Sequence, residues 1–173
     1  YSVHMFQHMS LTYFMPPLVV LATPEWFART LVGDGGVYRF VKFMAHPVRA
    51  AFFFNVAVMV SHVPGVVNAS VSNGTLHYGV HVFLVTSAIL MWLPVCGPFK
   101  EMHIGYMGQM IYLFMNSVVA TVPAGWLTFA EGVVYKHYNI PWRVWGISVT
   151  DDQQLAGVIM KIGGGFFLWG IVI

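Results

Sequence analysis

Five histidines carry the chemistry this sequence could do: His4, His8, His62, His77 and His81. His4/His8 and His77/His81 each stand four residues apart, so on a helix each pair shares a face and can turn two nitrogens toward one point. Imidazole binds copper, zinc, iron and haem, whereas calcium and magnesium take oxygen ligands. An i,i+4 pair offers two nitrogens to one ion without bending its helix, and a second helix can complete a three- or four-ligand site. Met5 and Met9 adjoin two of these histidines and add thioethers of the kind that favour Cu(I). Adjacent helical positions turn away by about 100°, so packing against lipid or protein is the plainer expectation for both.

Long apolar segments must position these residues. Of the 173 residues 58% are hydrophobic and only 8% charged, with a mean hydropathy of +0.71 and a net charge of +2. That composition belongs to a membrane protein. The pattern predicts an all-α polytopic transmembrane bundle, a single domain over 1–173, with about five spans near 3–22, 47–63, 75–94, 104–122 and 152–173. Pro16-Pro17 should kink or end regular helix near Met15. The stretch 23–45 reads as a loop with a short interfacial helix around Phe27 to Leu31, and 66–74 as a short connection. The aromatic stretch 123–150, with Trp126, Tyr135, Tyr138, Trp142 and Trp145, reads as amphipathic and interfacial. Tyr1 has no preceding Met or basic flank and Ile173 falls inside an apolar run, so the chain is expected to belong to a longer protein.

Topology follows from the few cations. Arg29, Arg39, Lys42, Arg49 and Lys100 gather at one end of the bundle and Lys136 and Arg143 at the other, which puts the first end in the cytoplasm. The five histidines then share the outer leaflet, and the fifth span brings Asp152 and, deeper, Met160 to the same side. One histidine in a span is ordinarily a helix–helix hydrogen-bonding group; five at one depth point to liganding or transport, because ionisable groups in a bilayer are costly.

The other motifs read more plainly. Cys96 is the sole cysteine, which excludes an intrachain disulfide and a Cys-based metal site. Gly163-Gly164-Gly165 and Gly105-Tyr-Met-Gly108 suggest close helix packing, and Asp151-Asp152 an outer helix cap. Asp152 could alternatively orient a liganding imidazole. Lys161 is a cation well inside a span, able to snorkel or to meet an acidic partner. The dispersed basic residues form no nucleic-acid patch, and no Ser-His-Asp or Cys-His set argues for hydrolysis.

Ser2-Val-His-Met-Phe-Gln-His-Met9, Pro16-Pro17, His46-Pro47, Ser61-His-Val-Pro64, His77-x-x-x-His81, Pro94 and Asp152-Gln-Gln-Leu-Ala-Gly-Val-Ile-Met160 together resemble the CtaG-like cytochrome c oxidase assembly factors of bacteria. The resemblance covers almost the whole chain, with D-Q-Q-L-A-G its strongest piece. It implies a polytopic protein of the bacterial inner membrane, seven spans in many members, linked to maturation of the copper centre of a haem-copper oxidase. Carried across, His4, His8, His62, His77 and His81 match the family's histidines, and Asp152 and Met160 its acidic and thioether positions. His46 also matches, but lies at the cytoplasmic end, where it is expected to cap or anchor its helix.

The expectation is therefore a non-enzymatic membrane assembly factor that holds or hands over copper, as Cu(I) if thioethers take part. His4, His8, His77 and His81 lead the ligand set, His62 follows, and Met160 or Met5 is an optional soft ligand. Its partners would be an oxidase subunit or another copper chaperone, with a homo-oligomer or a larger membrane complex left open. Two other classes compete. A transmembrane haem-b electron-transfer protein would use one axial histidine from each of two helices. A transporter would need a polar path continuing inward, for which the sequence offers Lys161, Asn116 and Gln109.

Overall fold

The computed structural model describes residues 1–140 and 146–173; Trp142, Arg143 and Trp145, read above as interfacial or topological residues, lie outside them. Ten α-helices follow one another among the described residues: α1 (Ser2–Met9), α2 (Met15–Ala22), α3 (Glu25–Val32), α4 (Gly36–Met44), α5 (Pro47–Ser61), α6 (Pro64–Ser72), α7 (Gly74–Cys96), α8 (Tyr106–Val119), α9 (Thr121–Thr128) and α10 (Val149–Val172). There is no strand among them. α10 packs on α1, α8 and α9, while α7 packs on α2, α5 and α6. The first helical run joins the two groups, touching α10 through α1 and α7 through α2.

Three stretches are long and apolar enough to cross a membrane: Gly74–Cys96, Tyr106–Thr128 and Val149–Val172. Gly36–Met44 and Pro47–Ser61 qualify together but bend by 78° at their break. Three of the five expected spans are thus matched among the described residues, a fourth only as part of the bent pair, and the expected count of five is not reached. Residues 47–63 belong to the bent pair, and 3–22 is helical throughout but in three pieces.

The prolines explain the second irregularity. Regular α-helix is interrupted here, as the proline pair suggested, but the chain stays helical: a π-helical turn, Ser10–Phe14, joins α1 to α2, and the Met15 N–H reaches back to the Ser10 carbonyl, five residues earlier. The wider turn admits Pro16 and Pro17, which have no N–H to give, at the start of α2. The same logic extends the fourth span beyond residue 122. Pro123 falls in the first turn of α9, where a missing N–H costs little, so helix continues to Thr128 into what had read as an interfacial stretch.

Two helices stand where loops were expected. α4 occupies part of 23–45, its Val37, Phe40 and Phe43 exposed beside Arg39 and Lys42. α6 fills 66–72 because Pro64 starts it and Ser70 and Ser72 turn their hydroxyls back onto the Val67 and Asn68 carbonyls, satisfying themselves without leaving the helix.

The basic end is tied by charge. Arg29 on α3 meets Glu25 at 2.7 Å, Glu101 at 3.0 Å and Asp34 at 3.7 Å, and the Tyr38 hydroxyl donates to Glu101 at 2.6 Å. These hydrogen bonds hold the Glu101 carboxyl down at about 2. His46 occupies the N-cap position of α5 without a side-chain capping bond.

Glycine packing departs from the motif reading. The ideal Cβ of Gly108 would touch only Ile104 of its own segment, and that of Gly105 nothing within 4 Å. Gly164 does approach α1: a Cβ there would lie 2.8 Å from Met9 Cε. The tightest approach is at Gly157, the glycine of D-Q-Q-L-A-G, which had not been read as a packing position: its Cβ would lie 2.7 Å from the Ala124 carbonyl oxygen and 2.7 Å from the Thr128 nitrogen on α9.

Candidate metal centre

His4 and His8 project from α1, and His77 and His81 from the first turns of α7, where Asn73 caps the helix by accepting the Thr75 and Leu76 N–H groups at 3.0 and 3.1 Å. The i,i+4 spacing does what it promised. His77 and His81 lie with ring centroids 4.5 Å apart, and His4 sits 5.2 Å from His77 and 5.4 Å from His81. One ligand nitrogen from each of His4, His77 and His81 can be chosen so that all lie within 4.8 Å of one another. His8 completes the cluster at its inner edge: its Nε2 is 3.0 Å from His4 Nε2, and its ring centroid 4.6 Å from that of His81. His81 Nε2 is buried without a hydrogen-bond partner.

His62 lies one step below. It is the C-cap of α5, 6% exposed, with Nδ1 2.7 Å from the Val58 carbonyl oxygen. A carbonyl can only accept, so the hydrogen is on Nδ1 and the neutral ring keeps a bare Nε2, which is buried and unpartnered. A cavity of about 20 Å³ is lined by all five histidines together with Met5 and Tyr1. Met160 lines a different cavity, below His8 and His62.

Asp152 acts on α1, not by capping α10. Its carboxylate receives the Ser2 N–H at 3.0 Å and the Tyr1 nitrogen, so any influence on His4 runs through the helix backbone that carries it. The cap of α10 is Ser148, whose Oγ accepts the Asp151 N–H at 3.0 Å and donates to the Asp151 carboxylate at 2.6 Å. The next two residues fasten another segment. Gln153, 1% exposed, accepts the Val134 N–H at 2.9 Å, and Gln154 donates to the Ala130 carbonyl at 2.9 Å. Together Asp152, Gln153 and Gln154 tie α10 to the start of α1 and to the loop after α9.

That loop delivers a residue sequence reasoning had placed only at the interface. Tyr135 is fully buried, its hydroxyl donating to the His62 carbonyl at 2.9 Å; burial raises its phenol to about 12, so it remains a donor. Tyr1 packs between Tyr135 and Tyr138, tilted to one and edge-on to the other, with centroids 5.0 and 4.9 Å away, and lies 6.2 Å from His4. The signal was faint: a tyrosine directly after the valine pair Val133-Val134, with nothing to pair it to His62.

The polar residues offered for an inward path do not line either cavity. Asn116 joins Asn55 at 2.8 Å, Gln109 donates to the Ile104 carbonyl at 2.9 Å, and exposed Lys161 donates to Thr121 at 2.5 Å.

The profile of the family described as "Cytochrome c oxidase caa3 assembly factor" (Caa3_CtaG) matches residues 1–173, the whole chain. The chain belongs to this family. Two curated relatives of this caa3 assembly-factor chain, uncharacterized proteins of Mycobacterium bovis and Mycobacterium tuberculosis, are each 25% identical to it over 183 residues, covering 92% of the chain and 27% of their own length. It therefore spans about a quarter of the length of these relatives. No solved structure matches it.

Proposed function

We propose that this caa3 assembly-factor chain is a membrane-embedded, non-enzymatic copper holder, which receives the ion on the outer side of the bacterial inner membrane and passes it toward a haem-copper oxidase subunit or another copper chaperone. The observation that carries the reading is the convergence of His4, His77 and His81 from two helices, with ligand nitrogens within 4.8 Å of one another. His81 Nε2, buried without a partner, has the free lone pair an ion needs. The cavity among the rings, about 20 Å³, has the volume of one water or one bare ion, which favours an ion over the macrocycle of a haem.

His8 suits an ion that leaves again. Between neutral rings the 3.0 Å contact of His4 and His8 is a single N–H···N bond. An ion arriving at the acceptor nitrogen of the pair takes the lone pair that the hydrogen bond used, and its departure lets the bond re-form.

The test is metal content by mass spectrometry, with an optical spectrum, on detergent-purified protein beside a His77→Ala/His81→Ala variant. Copper in the wild type, diminished in the variant and without a Soret band, is the expected result. Wild-type protein that takes up no copper after anaerobic Cu(I) reconstitution would end this reading, and a strong Soret band would replace it with haem.

A further inference from the structure

Beneath the imidazole cluster lies a second cavity of about 20 Å³, again room for one water or one bare ion. Its lining includes Met5, Met9 and Met160, which are 2%, 3% and 4% exposed. The two cavities share Met5, His8, Ser61 and His62 as a common wall. Buried methionines alone are ordinary gap fillers. What separates this chamber from a packed core is polar. His62 Nε2 carries a lone pair and no partner, and the Tyr13 hydroxyl, on a residue 3% exposed, has none either. Unpartnered polar atoms at such burial are rare because each forfeits its hydration.

The backbone of α10 also comes close to one of these methionines. Gly164 on α10 faces Met9, and a Cβ there would fall 2.8 Å from its Cε and 3.7 Å from its Sδ. Thioether and imidazole together form a softer donor set than the imidazoles above, and soft sulfur selects Cu(I).

We propose that this chamber is a second, deeper position for monovalent copper, held by His62 Nε2 and the thioethers of Met5, Met9 and Met160, and filled through the imidazole cluster above it. The proposal rests on the copper reading of that cluster and adds where the ion goes next. His8 and Met5 border both cavities, so ligands can be exchanged one at a time without the ion re-entering water. Met160 belongs to the lower position alone.

The experiment titrates Cu(I) anaerobically into detergent-purified protein against a chromogenic Cu(I) chelator and records copper K-edge X-ray absorption on the same samples. Wild type should bind two ions per chain with mixed nitrogen and sulfur scattering. Met5→Leu/Met9→Leu/Met160→Leu, which conserves volume, should bind one and lose its sulfur scattering. His77→Ala/His81→Ala should also bind one but keep the sulfur. A wild type with one ion and nitrogen-only scattering would overturn the deeper site while leaving the imidazole site standing, and that spectrum decides even if the triple variant does not fold. No copper in wild type would overturn both.

Discussion

Three glycines on α10 allow one substitution to be predicted with three outcomes. Gly157 lies against α9 so closely that an alanine Cβ would sit 2.7 Å from the Ala124 carbonyl oxygen, 2.7 Å from the Thr128 nitrogen and 2.5 Å from Thr128 Oγ1. Restoring ordinary contact, at about 3.4 Å, requires α9 and α10 to part by roughly 0.7 Å, and overpacking of this kind costs about 1–3 kcal/mol. Gly→Ala in a helix gains only about 0.5–1 kcal/mol, so Gly157→Ala should destabilise. Gly165 has nothing within 4 Å of its Cβ, and Gly165→Ala should show the helix-forming gain alone. At Gly164 the obstacle is Met9 Cε, the free end of a flexible chain, and the change should be near neutral. The assay is thermal unfolding in detergent, followed by thiol-reactive dye labelling of Cys96, the sole cysteine and only partly accessible when folded. The expected order of midpoints is Gly165→Ala, then Gly164→Ala, then Gly157→Ala. Gly157→Ala matching or exceeding Gly165→Ala would refute the α9–α10 contact and the reasoning built on it.

Tyr135→Phe removes the donor to the buried His62 carbonyl and should cost about 1–3 kcal/mol, read as a lower unfolding midpoint; an unchanged midpoint would mean that another group, such as water, serves that carbonyl equally well. At the opposite end, Glu101 titrates below its usual range because Tyr38 and Arg29 hydrogen-bond its charged form. A depressed folded-state value means the clamp's contribution is whole above the ordinary carboxylate range and is lost as pH falls through that range toward about 2. The difference in midpoint between wild type and Glu101→Gln should therefore be level near neutrality and shrink on acidification. A difference that stays constant down to pH near 2.5 would contradict the shift. Because Arg29 and Glu101 are solvent-accessible, that difference should be small and should shrink with salt.

The histidine cluster was legible because its logic is local. Two i,i+4 pairs fix which rings share a face, and helix-scale apolar runs fix their depth, so His4, His77 and His81 could be brought together on spacing alone. His8 and His62 line the same cavity, but their own contacts are ones spacing does not carry: His8 Nε2 meets His4 Nε2, and His62 Nδ1 meets the carbonyl four residues behind it. Met160 was placed at the right depth yet belongs to the lower cavity, a distinction set by how α1 and α10 pack. Pro16-Pro17 marked where regular helix is interrupted, but nothing in a hydropathy pattern announces that the interruption takes the form of a π turn. The D-Q-Q run stood out as a motif, but its partners lie in two other segments of the chain, so its fastening role appears only in the fold. Tyr135 is the same case from the other side of the contact.

One feature of both cavities reaches beyond ligand identity. Their described walls hold imidazole, thioether, hydroxyl and hydrocarbon, but no carboxylate or thiolate. Neutral ligands would leave any bound ion its whole charge, with no anionic group beside it to offset the cost of leaving water. On the copper reading proposed above, a monovalent ion would therefore be held at a smaller desolvation cost than a divalent one, although the imidazoles by type accept either.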